Sequence, residues 1–155
     1  MGDKEIDKTI MVELSNTFKD AVSEVDVPSL NRAVARIEPG KVKEIMQFLL
    51  DKGFDHLSCI TGIDYPPDKM EVVYHVTSYS APLVITLKAS IPRDDPNIDS
   101  LCGIYWNANW YERETYELYG IKFTDCPYLK VLLLIEEMEG EWPLRKDYAG
   151  YPDLT

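Results

Sequence analysis

Apolar and polar positions along the chain fall into segments of different period. Ile6, Ile10, Leu14, Phe18 and Val22 recur every four residues among charged neighbours, which predicts an amphipathic helix over 4–22. Asp26-Val-Pro28 breaks that pattern. Ala33, Ala35 and Ile37 then alternate with Arg32, Val34 and Arg36, as in a strand over 31–37. Pro39-Gly40 opens a second helix over 40–52, with Val42, Ile45, Met46, Leu49 and Leu50 on one face and Gly53 closing it. Three strand signals follow at 56–64, 71–78 and 83–90. Tyr65-Pro-Pro-Asp68 supplies a turn between the first two, and Ser80-Ala-Pro82 a short link to the third. Ile91–Asp99, with two prolines and three aspartates, reads as a solvent loop. Ser100 is placed to cap a helix, and the pattern favours one over 107–119, ended by Gly120. Cys126–Met138 fits two elements: a helix with Pro127 in its first turn, or a buried strand over Lys130–Ile135. The order predicts an α+β fold in two layers. Helices pack on one face of a small, mainly antiparallel or mixed sheet, in one domain over 1–135. Residues 136–155 form an extended C-terminal docking strap.

Composition narrows the partners. The 155 residues hold 16 Lys+Arg against 27 Asp+Glu, a net charge of −11. That balance argues against nucleic acid or an anionic lipid surface as a direct partner. The deficit is spread along the chain, so neither end is a charged tail. The start, MGDKEIDKTI, has neither a basic nor an apolar leader region, so no secretory signal is expected. The longest apolar run, Val131–Ile135, is far short of the roughly 20 residues of a membrane span. Cys59, Cys102 and Cys126 are widely spaced with no Cys-x-x-Cys, which suits free thiols in a reducing compartment better than a metal centre. His56 and His75 have no companion ligands, so no metal site and no cofactor is expected in this chain.

Nucleotide-cradling glycine loops and Gly-x-Ser-x-Gly elbows are missing from the sequence. Of 17 aromatics, eight lie between Tyr105 and Tyr128. Within that crowd, Trp106-Asn-Ala-Asn-Trp110-Tyr-Glu112-Arg113-Glu114-Thr-Tyr-Glu117 is the densest constellation. Helical spacing puts Trp106, Trp110 and Glu114 or Glu117 on one face, while Glu112 and Glu114 point about 200° apart. Two readings stand. One makes Glu112 or Glu114 a general acid or base with Arg113 as an anion clamp. The other makes Glu112–Arg113–Glu114 a set of buried or interface ion pairs in an aromatic docking surface. Trp142-Pro143-Leu144-Arg145-Lys146-Asp147-Tyr148 is the second constellation. Proline fixes an extended backbone there, and the alternation of Trp142, Leu144 and Tyr148 predicts one buried side. Its charges are presented with no helix beneath.

Residues from about Asp55 to Tyr148 resemble the C subunit of respiratory complex I. That family also includes the matching subunits of archaeal reduced-deazaflavin dehydrogenases and energy-converting membrane-bound hydrogenases. The resemblance is carried by Ile63-Asp-Tyr65, Tyr74 with Ser78, Trp106–Glu114, Glu117-Leu-Tyr-Gly-Ile121, Phe123 with Pro127 and Leu129, and Pro143–Asp147. Two positions depart from it: Asp125-Cys126-Pro127 replaces Gly-His-Pro, and Trp142 replaces a histidine. The resemblance implies a scaffold subunit without redox centres, on the cytoplasmic side of the cell membrane in a peripheral arm. Its expected partners are a hydrogenase-like large subunit and a small iron–sulfur subunit, with iron–sulfur clusters and flavin on partner subunits of the complex. The implied interface is Trp106, Trp110, Glu112, Arg113, Glu114, Glu117, Trp142, Pro143, Leu144, Arg145, Lys146 and Asp147. A stand-alone acidic enzyme and an energy-converting hydrogenase subunit are the alternatives.

Overall fold

The computed structural model describes residues 3–29, 31–80 and 82–150. Helix α1 (Asp3–Phe18) leads into a 3-10 turn and strand β1 (Val22–Ser29), followed by β2 (Arg32–Ile37) and α2 (Val42–Asp51). Strands β3 (His56–Tyr65), β4 (Lys69–Thr77) and β5 (Val84–Pro92) come next, then β6 (Asn97–Asp99), α3 (Ala108–Tyr119) and β7 (Lys122–Thr124). The main sheet has the order β1-β2-β5-β4-β3. Only β2 and β5 pair in parallel; the other three pairings are antiparallel.

Register explains the layering. Leu57, Ile60, Gly62 and Asp64 of β3 oppose Val76, Tyr74, Val72 and Met70 of β4, which in turn oppose Ile85, Leu87, Ala89 and Ile91 of β5. Ala33, Ala35 and Ile37 of β2 continue the same face. Because strand side chains alternate, one face collects nearly all the buried residues. Ile10 and Leu14 of α1, the apolar stripe of α2 and Ala108 of α3 share one core with it. The opposite face carries Arg32, Arg36, His75, Thr86 and Lys88. This is the two-layer α+β arrangement with a mixed sheet.

Several elements differ from the sequence expectation. The first helix stops at Phe18 rather than 22, and Val22 begins an edge strand. Residues 23–26 of that strand are all exposed, so it carries no alternation to read, and its pairing with β2 is irregular. Pro28 is tolerated there because an edge strand has a free side. The side chain of Ile6, Ala81 in the β4–β5 link, and residues 151–155 lie outside the described residues. Ile91–Asp99 is not a solvent loop. Strand β5 runs on to Pro92, and β6 pairs with β7 in a two-stranded parallel sheet that buries Ile98 and Phe123. Three-residue strands paired across a helix are too short for periodicity to signal. Cys126–Met138 is neither helix nor strand; it is irregular, with a 3-10 turn only at Glu136–Met138.

Tyr74, fully buried at the centre of the sheet, has a hydroxyl with no hydrogen-bond partner among the described residues. Burial holds its phenol well above the ordinary tyrosine range. A buried polar group left unpaired costs about 1–3 kcal/mol. Tyr74→Phe is therefore expected to leave stability unchanged or to raise it by about 1 kcal/mol in urea denaturation. A loss of more than about 1 kcal/mol would show that the hydroxyl is satisfied in solution.

Candidate functional site

Helix α3 is the hub of the second half. Asn107 precedes it and donates from its side chain to the carbonyl of Leu57 at 2.8 Å, and Tyr105 donates to the carbonyl of Phe54 at 2.8 Å. These bonds seat the start of α3 on β3. Further along, Thr115 faces the Ile60 carbonyl, and Tyr119 lies over Gly62, where an added methyl would stand 2.9 Å from its ring.

The charged residues of α3 hold loops. Glu112 is fully buried. Its Oε2 accepts from the Ser100 hydroxyl at 2.7 Å, and its Oε1 accepts from the Leu101 N–H at 2.6 Å. Arg113 donates to the carbonyls of Lys130 and Val131 at 3.1 and 2.8 Å, while its guanidinium lies 5.5 Å from the Trp110 ring. Glu117, also buried, accepts from the successive N–H groups of Leu132, Leu133 and Leu134. Glu114 is half-buried. The expected ion pairs within Glu112–Arg113–Glu114 do not form among the described residues. Backbone groups of an irregular segment, which need partners wherever they are shielded from water, take the carboxylates and the guanidinium instead.

This anchoring explains the ambiguity of the Val131–Ile135 run. One carboxylate gathers three consecutive N–H groups, which leaves those amides out of any helix or strand ladder. The segment is thereby fixed with large apolar side chains turned outward: Tyr128, Leu133 and Ile135 are exposed, as are Trp106 and Trp110 on α3 and its approach.

The strap is turned inward and is not extended. Leu144 donates its N–H to the carbonyl of Leu118, and Arg145 donates from Nε to the carbonyl of Tyr119 at 2.7 Å. So a helix does lie beneath these charges: its last carbonyls accept from the strap, and the Arg145 cation sits at its negative end. Arg145 also stacks 3.9 Å from the Trp142 ring. The N–H groups of Arg145 and Tyr148 close turns onto Trp142 and Arg145, so the alternation fails. Trp142, Pro143 and Tyr148 are half-buried and Leu144 is exposed.

Sequence reasoning missed the roles of Asp64 and Arg93. Asp64 has a fully buried side chain at the end of β3. It accepts from Arg93 at 2.7 and 3.1 Å and from the Lys146 N–H at 2.8 Å. Arg93 also pairs with Asp147 at 2.7 Å. Its bond to Arg93 holds the Asp64 carboxyl below the usual carboxylate range. The signal available was an aspartate at a core-facing strand position, which demands a buried cation.

Cys102, after β6, and Cys126, after β7, are 24 residues apart in sequence, yet their sulfurs lie 3.8 Å apart. Cys102 Sγ is 3.3 Å from Glu112 Oε2. Burial, with Glu112 close by, pushes both thiols above the ordinary cysteine range.

The family model described as "Respiratory-chain NADH dehydrogenase, 30 Kd subunit" matches residues 35–153. The C subunit of the F(420)H(2) dehydrogenase of Methanosarcina mazei is 51% identical over 152 residues, 96% of this chain and 95% of that one. The C subunit of the NADH-quinone oxidoreductase of Rhizobium rhizogenes is 42% identical over 109 residues, 67% of this chain. The chain covers 54% of that bacterial protein, about half its length. Two solved structures share the fold. A chain of the membrane-bound sulfane sulfur reductase, an archaeal respiratory membrane complex, superposes with a TM-score of 0.82 at 22% identity, covering 91% of this chain and 84% of that chain. The trypsin-resistant fragment of Nqo5 gives a TM-score of 0.67 at 24% identity, covering 77% and 96%. With its α3 segment and strap both inside the matched region, the chain belongs to the respiratory-chain NADH dehydrogenase 30 Kd subunit family.

Proposed function

We propose that this chain is a non-catalytic scaffold subunit of a membrane-associated, ion-translocating oxidoreductase complex of the complex I type. Within it the chain docks on a hydrogenase-like large subunit, beside the small iron–sulfur subunit that passes electrons toward a quinone or methanophenazine. Flavin and iron–sulfur clusters belong to partner subunits of the complex. The near full-length likeness to an F(420)H(2) dehydrogenase subunit supports a reduced-deazaflavin complex over an NADH-linked one. No helix among the described residues is long and apolar enough to cross a membrane, which is compatible with attachment on the cytoplasmic face through the partners.

The observation that carries this reading is the apolar segment that Arg113 and Glu117 display. A free monomer gains nothing from burying the Glu117 carboxylate and engaging the Arg113 guanidinium to hold Leu133 and Ile135 outward; a docked subunit gains a preformed contact surface. The acid–base alternative has no geometric support at Glu112, because both oxygens of its carboxylate are engaged and buried.

Glu117→Ala should free the N–H groups of 132–134 and unfix the segment. Co-purification of tagged chain with the large subunit is expected to fall at least about tenfold, while Trp106→Ala with Trp110→Ala should weaken it by about 1–4 kcal/mol, as hot-spot aromatics do. Undiminished partner recovery with both sets of variants, at normal chain abundance, would sink the docking reading.

A further inference from the structure

We propose that Cys102, Glu112 and Cys126 form a binding site for one zinc ion, held between β6, α3 and the turn after β7. The three ligand atoms lie within 4.8 Å of one another, and they are the only such group among the described residues. Their spacing discriminates between candidate chemistries. Two thiolates on a tetrahedral zinc, with bonds of about 2.3 Å, stand about 3.8 Å apart, and a thiolate and a carboxylate oxygen about 3.5 Å. The sulfurs here are 3.8 Å apart and Cys102 Sγ is 3.3 Å from Glu112 Oε2. A disulfide would need the sulfurs at about 2.05 Å.

The surroundings are those of a ligand set. Ser100 and Leu101 hold the Glu112 carboxylate from its far side, orienting it as outer-shell donors orient metal ligands. Asn109 Nδ2 lies 3.6 Å from Cys126 Sγ and is tied by a 2.6 Å bond to the Pro127 carbonyl. Glu112 is fully buried with no cationic side chain paired to it among the described residues. Zinc would take up that carboxylate oxygen as a ligand. Two S–H bonds break, two S–Zn bonds form and two protons leave to solvent. The net charge of the site is unchanged and nothing is oxidised. Both cysteines are half-buried, which leaves an entry path and a fourth position for water. The thiolates select zinc over magnesium or calcium. Bound there, zinc pins the turn that leads into the apolar docking segment.

The test uses the full chain, reduced and freed of metal. One equivalent of Zn²⁺ is expected to slow alkylation of Cys102 and Cys126 at least about tenfold by mass action and to leave Cys59 unchanged. Cys59 lies in β3, outside the cluster, and serves as the internal control. One equivalent of Co²⁺ should give a thiolate-to-cobalt charge-transfer band that Cys126→Ser removes. Ser100→Ala, which keeps all three ligands, should weaken Zn²⁺ binding about 10–100-fold. Equal alkylation rates with and without Zn²⁺ would overturn the site, as would protection of Cys59 to the same degree. Isolation of the chain with a Cys102–Cys126 disulfide that Zn²⁺ does not compete with would overturn it too. The unaltered chain carries the alkylation assay, so misfolding of a variant leaves the result decisive.

Discussion

Asp64→Ala should destabilise the domain by about 3–5 kcal/mol, the cost of removing one partner of a buried ion pair and leaving the other uncompensated. The Asp64 side chain is wholly buried and Arg93 is nearly so, at 14% exposed. For a domain of this size the loss lowers the melting temperature by roughly 10 °C. The same substitution removes the acceptor of the Lys146 N–H, so the strap should loosen and tryptic cleavage at Arg145 and Lys146 should accelerate. Asp64→Asn keeps an oxygen for that N–H and loses only the charge, and should fall between the two. The carboxyl is held below its ordinary value by Arg93. A group depressed in this way stabilises the fold above its unfolded value, about 3.9, and that contribution disappears as pH falls through the folded value. Stability should therefore be level from neutral pH down to about 4 and drop below it, with a shallower acid limb in Asp64→Asn. A loss under about 1 kcal/mol for Asp64→Ala, with unchanged cleavage, would show that Asp64 does not clamp the strap.

Gly120→Ala is the second large effect. Gly120 ends α3 with φ of +74°, and an added Cβ would lie 2.6 Å from the Trp142 ring and 2.8 Å from Arg145 Nη2. The left-handed backbone costs an L-residue about 1–2 kcal/mol, and overpacking adds about 1–3 kcal/mol. Trp142 must move, which breaks its stack with Arg145 and strains the Arg145 bond to the Tyr119 carbonyl. The expected total loss is about 2–5 kcal/mol, with a red shift and greater quencher access of tryptophan emission. Gly140→Ala is the control: its φ is +89° but nothing stands within 4 Å, so only the backbone cost, about 1–2 kcal/mol, should appear. Equal losses at the two glycines would mean the strap does not pack on the helix end. Asp64→Ala and Gly120→Ala both release the strap, so the double variant should lose less than the two single losses combined.

Much of the fold was legible along the chain. Helix α2 and strands β2 to β5 lie within a few residues of their periodic signals, because each buries one face and a buried face leaves its period in the sequence. Strand β1 was hidden for the opposite reason: an exposed edge strand buries almost nothing. Strands β6 and β7 were hidden by brevity, since three residues carry no period and their partners lie across α3.

The densest constellation was legible as residues and not as roles. Trp106 to Glu117 is a place of unusual composition in the sequence alone, and its motif with Pro143–Asp147 marks the family. Which groups those carboxylates and arginines would meet was not written there. Glu112 meets the Ser100 hydroxyl and the Leu101 N–H, Glu117 three N–H groups of a distant run, and Arg113 two carbonyls. Local spacing places a side chain on a helix face, but a hydrogen-bond partner 11 to 18 residues away depends on how the intervening chain returns. The same holds for Asp64 with Arg93 and Lys146, 29 and 82 residues distant, and for the two cysteines that face Glu112. Layers, helix and strand faces and family membership follow from short-range period and motif, so they could be read before any coordinates. That the charged groups tie down loop and strap emerged only with the packed chain, because burial without a partner is costly and the partners come from wherever the fold brings them.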